Sequence, residues 1–303
     1  MTQQLQVTEP SAESRYDLHS HSVFSDGSYT VDQLIGQARE AGLAGLAITD
    51  HDTLAQLSYV RSRARALRFP VLAGLEVSAA SARTGRKIHI LCFGMEATAD
   101  GSGPLERLVS GTLAARTANT LWQAWTIANA HERFPGRAPL SLDVLARTAA
   151  PSTGVYKQHV MEVLTGLPYT DPAYRQLYRR LFKNGGIAQR DIGYPEATDA
   201  VRAVREQGGI PVLAHPGQMD SWSMIPDLVE AGLQGIEVHH PDHTAIDADR
   251  AREAAAAYDL LTTGGSDFHG RYGAPPMLGC CGISAGEAGE RIATLFERER
   301  TLR

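Results

Sequence analysis

Cysteine is nearly missing: Cys92, Cys280 and Cys281 are the only three in 303 residues. Two of them are adjacent, which is poor material for a disulfide framework, so stability has to come from a hydrophobic core and a reducing, cytoplasmic compartment is expected. Cys92 lies in an apolar run and is expected in that core. No apolar run approaches the roughly 20 residues that span a bilayer, and residues 1–6 lack a basic segment followed by an apolar one. Neither membrane insertion nor secretion is expected. Excess positive charge is missing as well. A formal net charge of -5 excludes a general electrostatic footprint for nucleic acid, so no duplex nucleic-acid partner is expected and an anionic substrate has to be drawn in locally. With 43% hydrophobic and 21% charged residues, wholesale disorder is excluded too.

What the chain does have is histidine and acid at the ends of short apolar runs. Residues 1–14 are polar and aperiodic and read as a loose tail. The run around Tyr16 then delivers His19 and His21, two apart and so on one face of an extended segment, with Asp26 brought back by the turn Ser25-Asp26-Gly27. A helix follows, capped by Thr30 and carrying Val31, Leu34, Ile35 and Ala38 at helical spacing, with Gly42 as its stop. The apolar run 43–49 fits a strand buried on both faces and ends at Asp50-His51-Asp52. A helix over 54–68 leads to a strand at 71–75 that ends at Glu76, and the next strand, 88–93, carries His89.

Between about 98 and 186 the rhythm becomes helical, with stretches at 105–131, 141–149, 154–165 and 172–182 joined by Gly-Pro turns, which reads as an insertion. Leu121, Trp122 and Trp125 are expected to pack inward there, and His131 to interact with its helix C-terminus. Alternation resumes with a helix at 195–207 and strands at 210–214, 235–238 and 260–263, whose ends hold His215, His240 and Asp267 with His269. A last helix is expected over 285–297. This divides the chain into a tail (1–14), a first α/β part (15–97), the helical insertion (98–186) and a second α/β part (187–303).

His19, His21, Asp26, His51, Glu76, His89, His215, Asp267 and His269 thus collect at strand ends, where barrels of parallel strands build their active sites. Imidazole and carboxylate are ligands for Zn, Mn or Fe. The blocks Asp17-Leu18-His19-Ser20-His21, Ile48-Thr49-Asp50-His51-Asp52, Gly74-Leu75-Glu76, His89-Ile90-Leu91, Ala214-His215-Pro216-Gly217 and Gly265-Ser266-Asp267-Phe268-His269, in this order, resemble the motifs of the polymerase and histidinol phosphatase (PHP) family.

The resemblance implies a distorted seven-stranded β/α barrel with a helical insertion domain, holding two or three divalent ions (Mn foremost, Fe or Zn otherwise) and hydrolysing phosphate esters. By motif, His19, His21, Glu76 and Asp267 would hold one ion. Glu76 would bridge to a second ion at His89 and His215, and Asp26, His51 and His269 would hold a third. Such ions neutralise phosphoryl oxygens and generate a nucleophile, here a metal-bridging hydroxide, with Glu76, Asp26 and His51 closest to the catalytic step. The branch it looks most like includes AMP phosphohydrolase and the 3',5'-nucleoside bisphosphate phosphatases. The substrate expected is therefore a nucleotide or similar small phosphorylated metabolite. Substrate contacts are expected from Arg116, Asn119, Lys157 and His159 of the insertion, with Asn119 standing where those relatives carry a second Arg. His240 is expected at the rim, and Arg190 near the mouth. Asp50 and Asp52 are expected to orient imidazoles. The competing reading is a catalytically silent PHP module that keeps a structural metal and acts through protein partners.

Overall fold

The computed structural model describes residues 13–130, 140–274 and 277–301; the proposed tail through residue 12 and His131 lie outside these. Its strands are β1 (Arg15–Asp17), β2 (Gly45–Ile48), β3 (Val71–Ala73), β4 (Leu75–Ala80), β5 (Lys87–Phe93), β6 (Ile210–Leu213), β7 (Gly235–His239), β8 (Leu261–Gly264) and β9 (Ile283–Ser284). The principal helices are α1 (Val31–Glu40), α2 (Leu57–Leu67), α3 (Pro104–Asn129), α4 (Leu142–Ala149), α5 (Lys157–Thr165), α6 (Pro172–Phe182), α7 (Ala197–Glu206), α8 (Pro216–Met219), α9 (Ile225–Glu230), α10 (Ala245–Tyr258), α11 (Ala285–Ala288) and α12 (Glu290–Thr301). No helix among the described residues is long and apolar enough to cross a membrane.

Local chemistry explains the elements that position the site. Thr30 and Gln33 form a reciprocal capping box that starts α1, and Gly42 at φ +68° ends the turn after it. β2, β3 and β6 are short, apolar and almost wholly buried, as strands covered on both faces must be.

The strands do not close into a barrel among the described residues. They form two sheets, β3-β2-β1-β9 and β4-β5-β6-β7-β8. At the two seams the pairing shrinks to single bridges, Ser20 with Phe268 and His51 with Glu76, because the chain there turns aside to aim ligand side chains inward. Nor is the array all parallel: β4, β5 and β6 pair antiparallel, as do β1 and β9. Gly74 separates β3 from β4, since a side chain there would strike the Cys92 carbonyl at 2.6 Å. Glu76 is therefore inside β4, not at the end of a strand, and His89 lies opposite Ser78 within β5.

The helices α3 to α6 have a hydrophobic core of their own, in which Ile127, Val160, Met161, Tyr174 and Phe182 are buried. Leu121, Trp122 and Trp125 are not part of it. They stand exposed, with the Arg190 guanidinium 4.8 Å from the Trp122 ring, so Arg190 lies on an outer surface rather than at the mouth. The buried side of α3 mixes apolar residues such as Val109, Ala124 and Ile127 with polar ones. Asn119 and Gln123 turn inward to donate to the carbonyls of Ala188 and Arg190, and the aromatics are left on the opposite side. Ser152 and Thr153 donate to Phe24 and Ser25 carbonyls, which docks the helical block directly on the loop carrying Asp26.

Candidate metal centre

His19 and His21 follow β1, His51 follows β2, His215 follows β6, and Asp267 and His269 follow β8. Their side chains meet Glu76 and His89 from the antiparallel pair in one pocket. Three backbones here adopt positive φ without being glycine: Asp52 (53°), His215 (27°) and Asp267 (50°). Such conformations cost free energy and persist where a side chain must be aimed. Close approach is also built in, since a Cβ on Gly265 would lie 2.3 Å from that of His19, and one on Gly27 would lie 2.2 Å from the His21 carbonyl oxygen.

Glu76 is the centre of the arrangement and is wholly buried. Its Oε2 lies 3.2 Å from His19 Nε2, 3.2 Å from His21 Nε2 and 3.3 Å from His51 Nδ1. Its Oε1 lies 2.8 Å from His89 Nδ1 and 2.9 Å from His215 Nε2. Asp267 Oδ1 is 3.3 Å from His19 Nε2 and 3.2 Å from His21 Nε2, and Asp26 Oδ1 is 3.3 Å from His269 Nε2.

These atoms crowd together without satisfying one another. His19 Nε2, both nitrogens of His21, His51 Nδ1, Glu76 Oε2 and Asp26 Oδ1 are buried and make no properly oriented hydrogen bond among the described residues. Leaving so many polar atoms unpaired in one pocket is costly unless something shared fills the gap. Donor atoms of His19, His21, Glu76 and Asp267 lie within 4.8 Å of one another, as do those of His21, Asp26, His51 and His269 and those of His51, Glu76 and His89. Borderline nitrogen donors and hard oxygen donors converging in this way fit divalent transition ions.

The electrostatics agree. Burial would lower His21, but the adjoining Asp267 and Glu76 carboxylates outweigh it and hold the imidazole up to about 10. Burial would raise Glu76, yet the His51, His89 and His19 imidazoles hold it well below the ordinary carboxylate range. Burial prevails at His51, pushing it down to about 3 against Glu76 and Asp26. The carboxylates favour protonated His19 and His21, a charge that a divalent ion held by these residues would supply instead.

Two partners of the pocket were overlooked in the sequence. Glu237, inside β7 and fully buried, faces His19 Nδ1 at 3.2 Å and accepts from the His215 amide at 2.8 Å. Asp17 accepts from the amides of His19, Ser266 and Gly279 and from the Ser266 hydroxyl. A carboxylate within a buried apolar strand was the signal for Glu237, and the place of Asp17 two residues before His19 was the signal for Asp17. Asp50 and Asp52, by contrast, touch no imidazole. Asp50 holds the first loop through the Ser22 amide and the Ser22 and Ser25 hydroxyls, and Asp52 holds Arg116 at 2.8 Å.

Beside the centre opens a cleft of about 210 Å³, lined by Asp26, His51 and His89 on one wall and by Arg116, Lys157, Lys87, Lys183, Tyr156 and Tyr194 on others. Arg116 is anchored by Asp52 and Ser78, and its buried Nε has no partner among the described residues. Gln158 donates to Asp26 Oδ2 and the Tyr156 hydroxyl to the His51 carbonyl. Asn119 also lines the cleft. His159 is buried behind it, where its Nδ1 accepts from the Tyr156 amide and burial pushes it down to about 4. His240 lies 3.4 Å from Asp267 Oδ2, outside the cleft.

A buried cluster of imidazoles and carboxylates at a cationic cleft defines a metalloprotein with a site for anions. Comparison with known proteins then places the chain. A PHP domain model matches residues 17–183, and the chain belongs to the PHP domain family. It is 49% identical to the phosphoribosyl 1,2-cyclic phosphate 1,2-diphosphodiesterase of Eggerthella lenta, over 87% of this chain and 97% of the relative. It is 29% identical to a 3',5'-nucleoside bisphosphate phosphatase of Chromobacterium violaceum, over 84% and 86% respectively. A solved structure from Bifidobacterium adolescentis, assigned as a metal-dependent phosphoesterase, superposes with a TM-score of 0.77 at 27% identity, covering 96% of this chain and 98% of that one. Metal-dependent hydrolysis of phosphoric esters is the chemistry of this chain.

Proposed function

We propose that the chain hydrolyses a phosphoester of a compact, doubly phosphorylated sugar, with a five-membered cyclic phosphate on adjacent sugar oxygens as its best substrate, as the name of the Eggerthella relative suggests. The observation that carries this reading is the cationic cleft abutting the ligand cluster. One anion has a place at the ligand cluster, and Arg116, Lys157 and Lys183 face a second.

In this reading His19, His21, Glu76 and Asp267 hold one divalent ion, and Glu76 shares a second with His89 and His215. Asp26, His51 and His269 hold a third, with Mn the preferred metal. Such ions, when bound, neutralise the phosphoryl oxygens and make a nucleophile available at neutral pH. Glu76 keeps two ligand sets in register through its two oxygens. Burial disfavours the charged form of His51 and so leaves a lone pair for coordination, and Asp26 is held toward the cleft by Gln158. Arg116, fixed by Asp52 and Ser78, orients the distal anion, while the Tyr156 and Tyr194 rings lie 5.5 and 6.0 Å from its guanidinium. The helical stretch 98–186 supplies Arg116 and Lys157 and so selects substrate, between the metal-holding parts 15–97 and 187–303.

Turnover by Mn-loaded protein of a ribose 1,2-cyclic phosphate bearing a 5-phosphate, compared with nucleoside 3',5'-bisphosphates and AMP, tests the assignment. The cyclic sugar phosphate is expected to lead by about 10²-fold or more in kcat/KM. Preference for a nucleotide overturns the substrate, and no hydrolysis of any ester with metal bound favours a silent module.

Lys157 adds a pH signature. Burial, resisted by Asp191 and reinforced by Lys183, Lys87 and Arg116, pushes its ammonium down to about 8. The charge is present below that pH and lost above it, so kcat/KM for the doubly phosphorylated substrate falls as pH rises through 8. Lys157→Gln is expected to lower kcat/KM by about 10- to 100-fold near neutrality, the worth of a hydrogen bond to a charged group, and to flatten that limb. An unchanged limb in the variant would assign it to another group.

A further inference from the structure

Cys280 and Cys281 form a second chemical feature, outside the cleft. Cys280 is exposed and Cys281 half-buried, with their sulfurs 3.8 Å apart. With His240 and Arg15 they line a separate cavity of about 360 Å³. The turn that carries them is tied to the ligand loops from both sides. The Gly279 amide donates to Asp17 Oδ2 at 2.7 Å. The same carboxylate accepts from the His19 amide at 3.2 Å, the Ser266 amide at 3.0 Å and the Ser266 hydroxyl at 2.6 Å. Arg15 brackets the pair by donating to the carbonyls of Gly279 and Gly282. The Cys281 carbonyl oxygen presses on the end of β8, 2.9 Å from where a Cβ on Gly264 would stand. Among the described residues, amides and one hydroxyl are the groups that donate to Asp17.

We infer that Cys280 and Cys281 are a reversible oxidation site whose closure to a vicinal disulfide loosens His19 and Asp267 and lowers the affinity of the centre for metal. The lever is geometric. Adjacent Cα atoms are about 3.8 Å apart across a trans peptide, whereas disulfides ordinarily join Cα atoms roughly 4.4–6.8 Å apart. Bringing the sulfurs to bonding distance therefore distorts the 279–282 turn. Gly279, already at φ +82°, absorbs the change and moves its amide on Asp17. The oxidant is a peroxide. The Cys280 thiol, drawn below its usual range chiefly by the hydrogen bond with Cys281, attacks as thiolate, so that one peroxide oxygen becomes a sulfenic acid and the other leaves as hydroxide. The Cys281 sulfur then attacks the Cys280 sulfur; the S–S bond forms, the S–O bond breaks and water departs. With the released proton and hydroxide combined, two thiols and one hydrogen peroxide give one disulfide and two waters.

The test uses Mn-loaded full-length protein treated with stoichiometric hydrogen peroxide. The tryptic peptide 272–291, which contains both cysteines, is expected to lose two hydrogens and to resist iodoacetamide. Metal affinity, read by competition with a chelating dye, should weaken by about 10- to 100-fold, the scale seen when groups that orient ligands are disturbed, and dithiothreitol should restore it. Cys280→Ser and Cys281→Ser proteins should bind metal as the parent does and ignore peroxide. The inference fails if both thiols still take up iodoacetamide after treatment. It fails equally if the disulfide forms and metal affinity does not change, or if the serine variants lose metal to peroxide as the parent does. Peptide mass and metal affinity are read without substrate, so the outcome is independent of the assigned ester.

Discussion

Glu76→Gln protein is expected to keep its far-UV circular dichroism, to purify with little bound divalent metal, and to lose phosphoester hydrolysis by at least about 10³-fold. Groups that only orient ligands cost about 10- to 100-fold when removed, and Glu76 does more. Three imidazole nitrogens face its Oε2 at 3.2–3.3 Å and two face its Oε1 at 2.8 and 2.9 Å. An amide keeps the shape but removes the charge, and it points an N–H₂ donor at one set of lone pairs. The two ligand sets that share the carboxylate lose their common anchor together. Activity within tenfold of the parent in saturating Mn, with metal retained, would remove Glu76 from the centre of the chemistry.

That these side chains meet in one pocket was legible because each lies in a short block whose spacing survives folding; their division into sets was less so, since His51 also stands with Glu76 and His89. His19 and His21 project alike from an extended stretch, and the Thr30 cap and Gly42 stop are local features that tertiary structure did not override. The expected strands near 43–49, 88–93 and 210–214 appear as β2, β5 and β6, since continuous apolar runs admit few other uses in an α/β chain. Pairing direction was not legible. An apolar strand looks the same parallel or antiparallel, so the reversal at β4 and β5, which moves Glu76 and His89 off strand ends, left no mark in composition. The opening of the barrel into two sheets escaped for a related reason, because it depends on ligand loops interrupting ladders far apart in sequence. α3 misled through its aromatics: its buried side carries Asn119 and Gln123, which donate to backbone carbonyls, beside the smaller Ala124 and Ile127, and Trp122 and Trp125 occupy the exposed side. Asp50 and Asp52 flank His51 yet serve the Ser22 loop and Arg116, and the left-handed backbone at Asp52, φ 53°, is a feature that neighbourhood in the sequence does not reveal.

Glu237→Gln separates positioning from ligation. The Glu237 carboxylate faces His19 Nδ1 with both oxygens, at 3.2 and 3.4 Å. When it accepts the Nδ1 proton, the lone pair of Nε2 is left toward Glu76 and Asp267. Its Oε2 also accepts from the His215 amide at 2.8 Å, so one buried side chain sets the His19 imidazole and the His215 backbone. A glutamine can turn its N–H₂ toward Nδ1, favouring the tautomer with the proton on Nε2, where the metal should be. The expected result is a metal affinity weaker by about 10- to 100-fold, with kcat recovering toward the parent value as Mn is raised to saturation. That recovery is the discriminating readout: a variant lacking a direct ligand such as Glu76 cannot be rescued by mass action alone, whereas one with an unfavoured tautomer can, because metal binding itself selects the correct one. If excess Mn leaves Glu237→Gln as inactive as Glu76→Gln, Glu237 acts on the reaction directly and the chain of support through His19 is wrong.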